Sequence, residues 1–313
     1  ILHFTHSSFC GPKGLSRLPH PIPTSVIEGM LGADLLGFHV DPWVNGFFEC
    51  CEEVGAHVDH DAGVVEHDGR RTWVRSYPIP IDADELRERA GGKEARDWAN
   101  RFVQQTPGRL IVRADRAEPS KNIVRGFDAY GLLLDRRPDL SGTRFVACLY
   151  PSRQSMPEYQ RHEEAIRESV ARVNARHPGA IDLFLENDFD RTMGALMVYD
   201  VLVVNSIMDG MNLVSKEGAS VNENGGVLVL SRGAGSFDEL GADSVEIGDP
   251  LDVPATARAL EDALDMPMGK RMERAERLRS IVGATKPQDW IDAQIEDLVA
   301  IKERHEPLSP STA

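Results

Sequence analysis

Two short strings hold residues whose types and order suit a phosphate-bearing ligand. The first, RADRAEPSKN at 113–122, sets Arg116 and Lys121 between an apolar run and a helical pattern. A guanidinium grips phosphate as a fork and an ammonium as a point charge, so the pair suits a diphosphate. The same string also reads as a solvated loop in which Asp115 pairs with Arg116. The second string, DGMNLVSKE at 209–217, follows another apolar run. Gly210 permits a tight turn. The amides of Asn212, Leu213 and Val214 would open a helix, whose start attracts phosphate. Glu217, in the first turns, could accept hydrogen bonds from ribose hydroxyls. Asp209, at a strand end, could accept one from a sugar hydroxyl. Capping by Asp209 or Asn212 accounts for the start of this string but not for the whole of it.

The elements that must position these residues are legible in the periodicity. From residue 109, strand-like runs at 110–113, 144–150, 181–185, 201–205 and 227–230 alternate with helical patterns at 123–134, 158–175, 192–199 and 213–221. Further helices are predicted at 253–264, 269–282 and 288–303. Parallel strands require crossovers, so this is an α/β pattern with a doubly wound parallel sheet. Such sheets bind ligands beyond the C-terminal strand ends, where both strings fall. Earlier in the chain, strands are predicted at 1–5 and 35–39. Helices are predicted at 42–54 and 87–100, with one capped by Thr24 or Ser25 running through 27–31. Residues 57–80 alternate around Asp68-Gly69, a hairpin signal. The chain opens on Ile within a strand-like run, which leads to the expectation that upstream sequence belongs to the same fold.

Composition narrows the function classes. The 313 residues are 41% hydrophobic and carry a net charge of −15. That balance argues against a nucleic-acid surface, which needs a basic face. The four cysteines show no CxxC spacing, which argues against a disulfide framework or zinc knuckle and fits a reducing cytoplasm. No apolar run approaches the roughly 20 residues of a membrane span. The string HVDHD at 57–61 has metal-ligand residue types, but a hairpin would send alternate side chains to opposite faces. The glycines at 11 and 14 lack P-loop spacing.

Taken together, the two strings resemble those of retaining GT-B glycosyltransferases, most closely the trehalose-6-phosphate synthases. There a "DR…K" loop and a "DGMNLVAKE" loop flank the donor. They stand here as Asp115-Arg116…Lys121 and Asp209 to Glu217, with Ser215 in place of Ala. The run GVLVLS at 226–231, and Ala234-Gly235 before Glu239-Leu240, are similar too. The resemblance implies that Arg116 and Lys121 bind the nucleotide diphosphate. It gives residues 212–217, among them Asn212, Leu213, Val214, Ser215 and Glu217, the diphosphate and ribose. It gives Asp209, Gly210, Met211 and His6 the donor sugar, and Arg153, in YPSRQ, the acceptor phosphate. His6 is followed by Ser7-Ser8 rather than the family's proline, and Ala117-Glu118-Pro119 stand where the family loop reads "DRLDY.K". Pro80 replaces a common glycine.

The resemblance further implies two Rossmann-like doubly wound domains. Residues 1–104 would be the remainder of an incomplete N-terminal, acceptor-side domain, and 105–285 the nucleotide-sugar domain. A helix at 286–305 would pack back on the N-terminal domain, and 306–313 would be a disordered tail. The base would lie near Glu186, Asn187 and Asp188. Guanine offers two adjacent donors and uracil one, so this acidic, amide-rich loop favours GDP-glucose over UDP-glucose. Asp188-Phe189-Asp190 has the form of a DxD metal motif, but that motif belongs to another glycosyltransferase fold, and the family resembled here needs no metal. The expected partners are a nucleotide sugar and a sugar phosphate, with no cofactor, nucleic acid or membrane, and a possible homo-oligomer. The expected product is trehalose 6-phosphate. The alternatives are a pseudo-glycosyltransferase joining a nucleotide cyclitol to an amino-cyclitol phosphate, and a catalytically silent sugar-nucleotide sensor.

Overall fold

The computed structural model describes residues 1–305, so the expectation for 306–313 lies outside the described residues. The described residues divide into two compact units, 1–79 with 287–305, and 80–286.

The first unit contains β1 (Leu2–Phe4), α1 (Gly11–Leu15), α2 (Ile22–Met30), β2 (Leu35–Phe38), α3 (Asp41–Glu53), β3 (His57–Asp59), β4 (Val64–His67) and β5 (Arg70–Ser76). Its sheet runs β1-β2-β5-β4-β3. The first three are parallel and the last pairs antiparallel. The Asp68-Gly69 signal is a real turn: both residues have positive φ (48° and 74°), as a two-residue hairpin loop of the primed kind requires. One sheet face buries Phe38, Val65 and Val74 with Ile27 and Phe47 of the helices. The other packs Leu35 and Trp73 against Ile301 of the last helix, Pro287–His305. The expected cap at Thr24 or Ser25 is not found. α2 starts earlier, at Ile22, with Pro23 in its first turn. There a missing N–H leaves no bond unmade.

The second unit contains α4 (Ala83–Ala90), α5 (Lys93–Gln105), β6 (Leu110–Arg116), α6 (Ile123–Arg136), β7 (Arg144–Tyr150), α7 (Pro157–Arg176), β8 (Ile181–Leu185), α8 (Phe189–Val198), β9 (Val201–Val204), α9 (Leu213–Val221), β10 (Val227–Ser231), α10 (Phe237–Leu240), β11 (Val245–Ile247), α11 (Val253–Leu264) and α12 (Met268–Gly283). Its six strands are all parallel, in the order β11-β10-β9-β6-β7-β8. Ile111, Phe145 and Val203 face α6 and α11, while Val112, Val146 and Leu202 face α5, α8 and α12. Each such fully buried side chain contributes about 1.5–3 kcal/mol.

Two expectations are corrected here. The single helix at 87–100 is two helices, broken at Gly91-Gly92. Both belong to the second unit, so the division falls at residue 80 rather than 105. The cause is burial: Ala95, Ala99 and Phe102 form a buried apolar stripe on α5, and Ala95 and Phe102 join the core of the larger sheet.

Candidate phosphate-binding site

The chain leaves β6 toward β7 on one side of the sheet and β9 toward β10 on the other. The order therefore reverses between the neighbours β6 and β9. At such a reversal the following loops diverge and leave a crevice. The loops after β6 and β9 are the two strings singled out from sequence.

The loop after β6 closes with a short 3₁₀ turn, Pro119–Lys121, and Asn122 in the left-handed region (φ 58°). Asn122 donates through Nδ2 to the Asn205 and Pro250 carbonyls (3.1 and 2.6 Å), and Asn205 Nδ2 donates back to the Asn122 carbonyl (3.2 Å). The two loops are thereby sewn together. Lys121, 8% exposed, donates to Asp209 Oδ2 from 2.5 Å and stands 3.9 Å from Asp115 Oδ1. Burial pushes the Asp115 carboxyl up, against the pull of Arg113 and Lys121. The expected alternative, Asp115 paired with Arg116, is not what forms. Asp115 binds Arg113, and the mostly exposed Arg116 pairs with Glu118 at 2.9 Å.

The loop after β9 is held from behind. Asp209 forms a bridge with Ala234, and the Gly235 amide donates to the Asp209 carbonyl (3.2 Å). A Cβ on Gly235 would lie 2.0 Å from the Gly210 oxygen, so only glycine lets the two loops approach this closely. Asp209 Oδ2 also accepts from Asn212 Nδ2 (2.9 Å) and Ser206 Oγ (3.3 Å). Asn212 takes a positive φ and caps α9 through the Ser215 amide. The Ser215 hydroxyl is spent inside, on the Asn212 carbonyl and Ser236, and Met211 is buried.

One cavity of ≈ 230 Å³ is lined by Arg116 and Lys121 from the first loop and by Asn212, Leu213, Val214 and Glu217 from the second. Two cations, a helix start and the carboxyl groups of Asp115 and Glu217 thus face one space, an arrangement able to hold a diphosphate beside a hydroxyl-bearing group. Burial alone pushes the Glu217 carboxyl above its usual range.

Other sequence candidates lie elsewhere. Arg153, exposed and at positive φ, bonds the Tyr159 hydroxyl (3.1 Å) and does not line the cavity. His6 belongs to the first unit, among the rings of Phe4, His39 and Trp290. Asn187 is exposed. Asp188 caps α8 with one oxygen and binds Arg191 with the other (2.8 Å), and Arg191 also takes Glu186 (2.6 Å). Arg191 thus engages one oxygen of Glu186, whose side chain remains largely exposed, and both oxygens of Asp188 already accept a bond. Arg113, Asn122 and Asn205 escaped the sequence reading. A charge inside the apolar run LIVRADR was the one available signal. Among the described residues no group of three or more His, Cys, Asp or Glu could hold a metal ion, and no helix is long and apolar enough to cross a membrane.

A doubly wound parallel sheet whose strand order reverses between β6 and β9 defines an α/β protein, here of the GT-B type. The chain belongs to Glycosyltransferase family 20, whose signature matches residues 1–300. It is 29% identical over 306 residues to the validamine 7-phosphate valienyltransferase of Streptomyces hygroscopicus subsp. jinggangensis, covering 96% of this chain and 60% of that protein. It is 31% identical over 296 residues to a probable alpha,alpha-trehalose-phosphate synthase (UDP-forming) of Arabidopsis thaliana, covering 92% and 35%. The chain thus spans less than two thirds of these relatives. A crystal structure of an alpha,alpha-trehalose-phosphate synthase (UDP-forming) from Burkholderia xenovorans, in complex with glucose-6-phosphate, superposes with a TM-score of 0.87. It shares 28% identity and covers 96% of this chain and 68% of that one.

Proposed function

We propose that the protein is a retaining glycosyltransferase that moves glucose from a nucleotide sugar to glucose 6-phosphate, giving alpha,alpha-trehalose 6-phosphate and a nucleoside diphosphate. The observation that carries this reading is the shared cavity faced by Arg116, Lys121 and the start of α9. As the bond from the sugar's anomeric carbon to the phosphate oxygen stretches, negative charge grows on the departing diphosphate. The two cations and the helix start meet that charge, and one such preorganised donor supplies about 3–4 kcal/mol. The acceptor hydroxyl attacks from the same face, and its proton passes to the departing phosphate. Asp209 positions the sugar and Glu217 takes the ribose. His6 and Arg153 are assigned to donor sugar and acceptor phosphate on the family motif. No metal is required.

A second reading, coupling of a nucleotide cyclitol to an amino-cyclitol phosphate, is favoured by the similarity to the valienyltransferase. A product assay separates the two. GDP-glucose and UDP-glucose are each offered with glucose 6-phosphate, and their relative rates read the base. Trehalose 6-phosphate supports the first reading. Product only with an amino-cyclitol phosphate and a cyclitol nucleotide supports the second. Nucleotide binding with no turnover on any pair indicates a sensor and ends both.

A further inference from the structure

We propose that Arg113 is a positioning residue that keeps the Lys121 ammonium available to a diphosphate, by occupying Asp115 and by fixing the Lys121 main chain. The inference rests on the reading of Lys121 as a diphosphate ligand. A parallel strand buried on both faces is ordinarily a continuous apolar run. Arg113 breaks that rule in the interior of β6, with 0% of its surface exposed. Its Nε and Nη2 lie 3.0 and 2.9 Å from Asp115 Oδ2. The same Nη2 donates to the Lys121 carbonyl and to Asn205 Oδ1, each at 2.8 Å.

This guanidinium therefore does two things at once. It ties the backbone of the Lys121 turn to the strand and to the loop after β9. It also takes one oxygen of a buried carboxylate whose other oxygen is 3.9 Å from the Lys121 ammonium. Arg113 and Lys121 balance Asp115 and Asp209 in charge, two against two. Without Arg113, the buried Asp115 and the half-buried Asp209 would share one ammonium, and a buried unpaired charge captures the nearest counter-ion. Lys121 would be drawn down to Asp115, and a diphosphate would meet an additional uncompensated negative charge.

The test is calorimetric binding of UDP and GDP, and of uridine and guanosine, to the chain and its variants. Arg113→Met is expected to weaken the better diphosphate by about tenfold or more, the size of a coupling between contacting residues. Nucleoside affinity is expected to stay within about twofold, because the sugar and base contacts are untouched. Adding Asp115→Asn removes the competing charge and should recover most of the diphosphate affinity, and Arg113→Lys should recover part. Where the Met variant does not fold, Arg113→Gln takes its place. A variant that binds diphosphate as the parent does, that loses nucleoside and diphosphate equally, or that gains nothing from Asp115→Asn overturns the inference. If the parent chain binds neither diphosphate, it is the functional reading itself that fails.

Discussion

Replacing Lys121 with methionine separates the chemistry of the site from its stability. The residue is 8% exposed, so methionine keeps most of its packing and removes only the charge. Two carboxylates lose a cation, but neither is orphaned. Asp209 retains Asn212 and Ser206 as donors, and Asp115 retains Arg113. The stability cost is then about 1–3 kcal/mol, that of a partly satisfied buried group, rather than the 3–5 kcal/mol or so of a bare buried charge. Loss of one strong donor to the departing diphosphate costs about 3–4 kcal/mol of transition-state stabilisation. That corresponds to a fall of about 10²–10³ in kcat. Urea melts give the first quantity and initial rates of trehalose 6-phosphate formation the second. A kcat within about threefold of the parent, in protein shown to be folded at the assay temperature, refutes the role given to Lys121.

Three further outcomes follow from the same geometry. Burial raises the Glu217 carboxyl, so the folded state holds its proton more tightly than the unfolded chain. Its charge therefore costs stability as pH rises from the ordinary carboxylate range through the folded value. Glu217→Gln should raise Tm at pH 7, by about 2–4 °C if about 1 kcal/mol is recovered. The same change should weaken nucleoside binding and flatten its loss toward acid pH; an unchanged acid limb in binding titrations counts against the ribose assignment. Gly235→Ala drives a methyl into the Gly210 carbonyl, at a cost of about 1–3 kcal/mol, and should abolish nucleotide binding. Parent-like calorimetry would show that the loops yield without consequence. Arg153→Ala, at an exposed position, should leave stability within about 0.5 kcal/mol while raising KM for glucose 6-phosphate. An unaltered KM removes it from the acceptor phosphate.

Much of the larger sheet could be read directly. The apolar runs at 144–150 and 181–185 are strands with those same limits, and the helix at 213–221 has the limits its pattern predicts. The string DGMNLVSKE was legible because a turn glycine, an asparagine cap and a helical face follow one another locally. What stayed hidden has more than one cause. Nothing near Glu186 or Asp188 announces that Arg191, though close in sequence, will pair with both, because charges of either sign along a helix start look like a solvated face. The break at Gly91-Gly92 was masked by the strong helix formers on either side. Arg113 reads as an ordinary charge until β6 is seen enclosed on both faces.

The paired amides of Asn122 and Asn205 have a bearing on how quickly a ligand can be accepted. Each residue hands a hydrogen bond across to the other's main chain, so neither loop can wander without dragging its neighbour. Ordering a mobile side chain at a binding surface costs about 0.5–1.5 kcal/mol each time. Here that ordering is completed during folding, and arrival of an anion demands little rearrangement from the backbone. Association should accordingly be limited by encounter rather than by closure of these two loops.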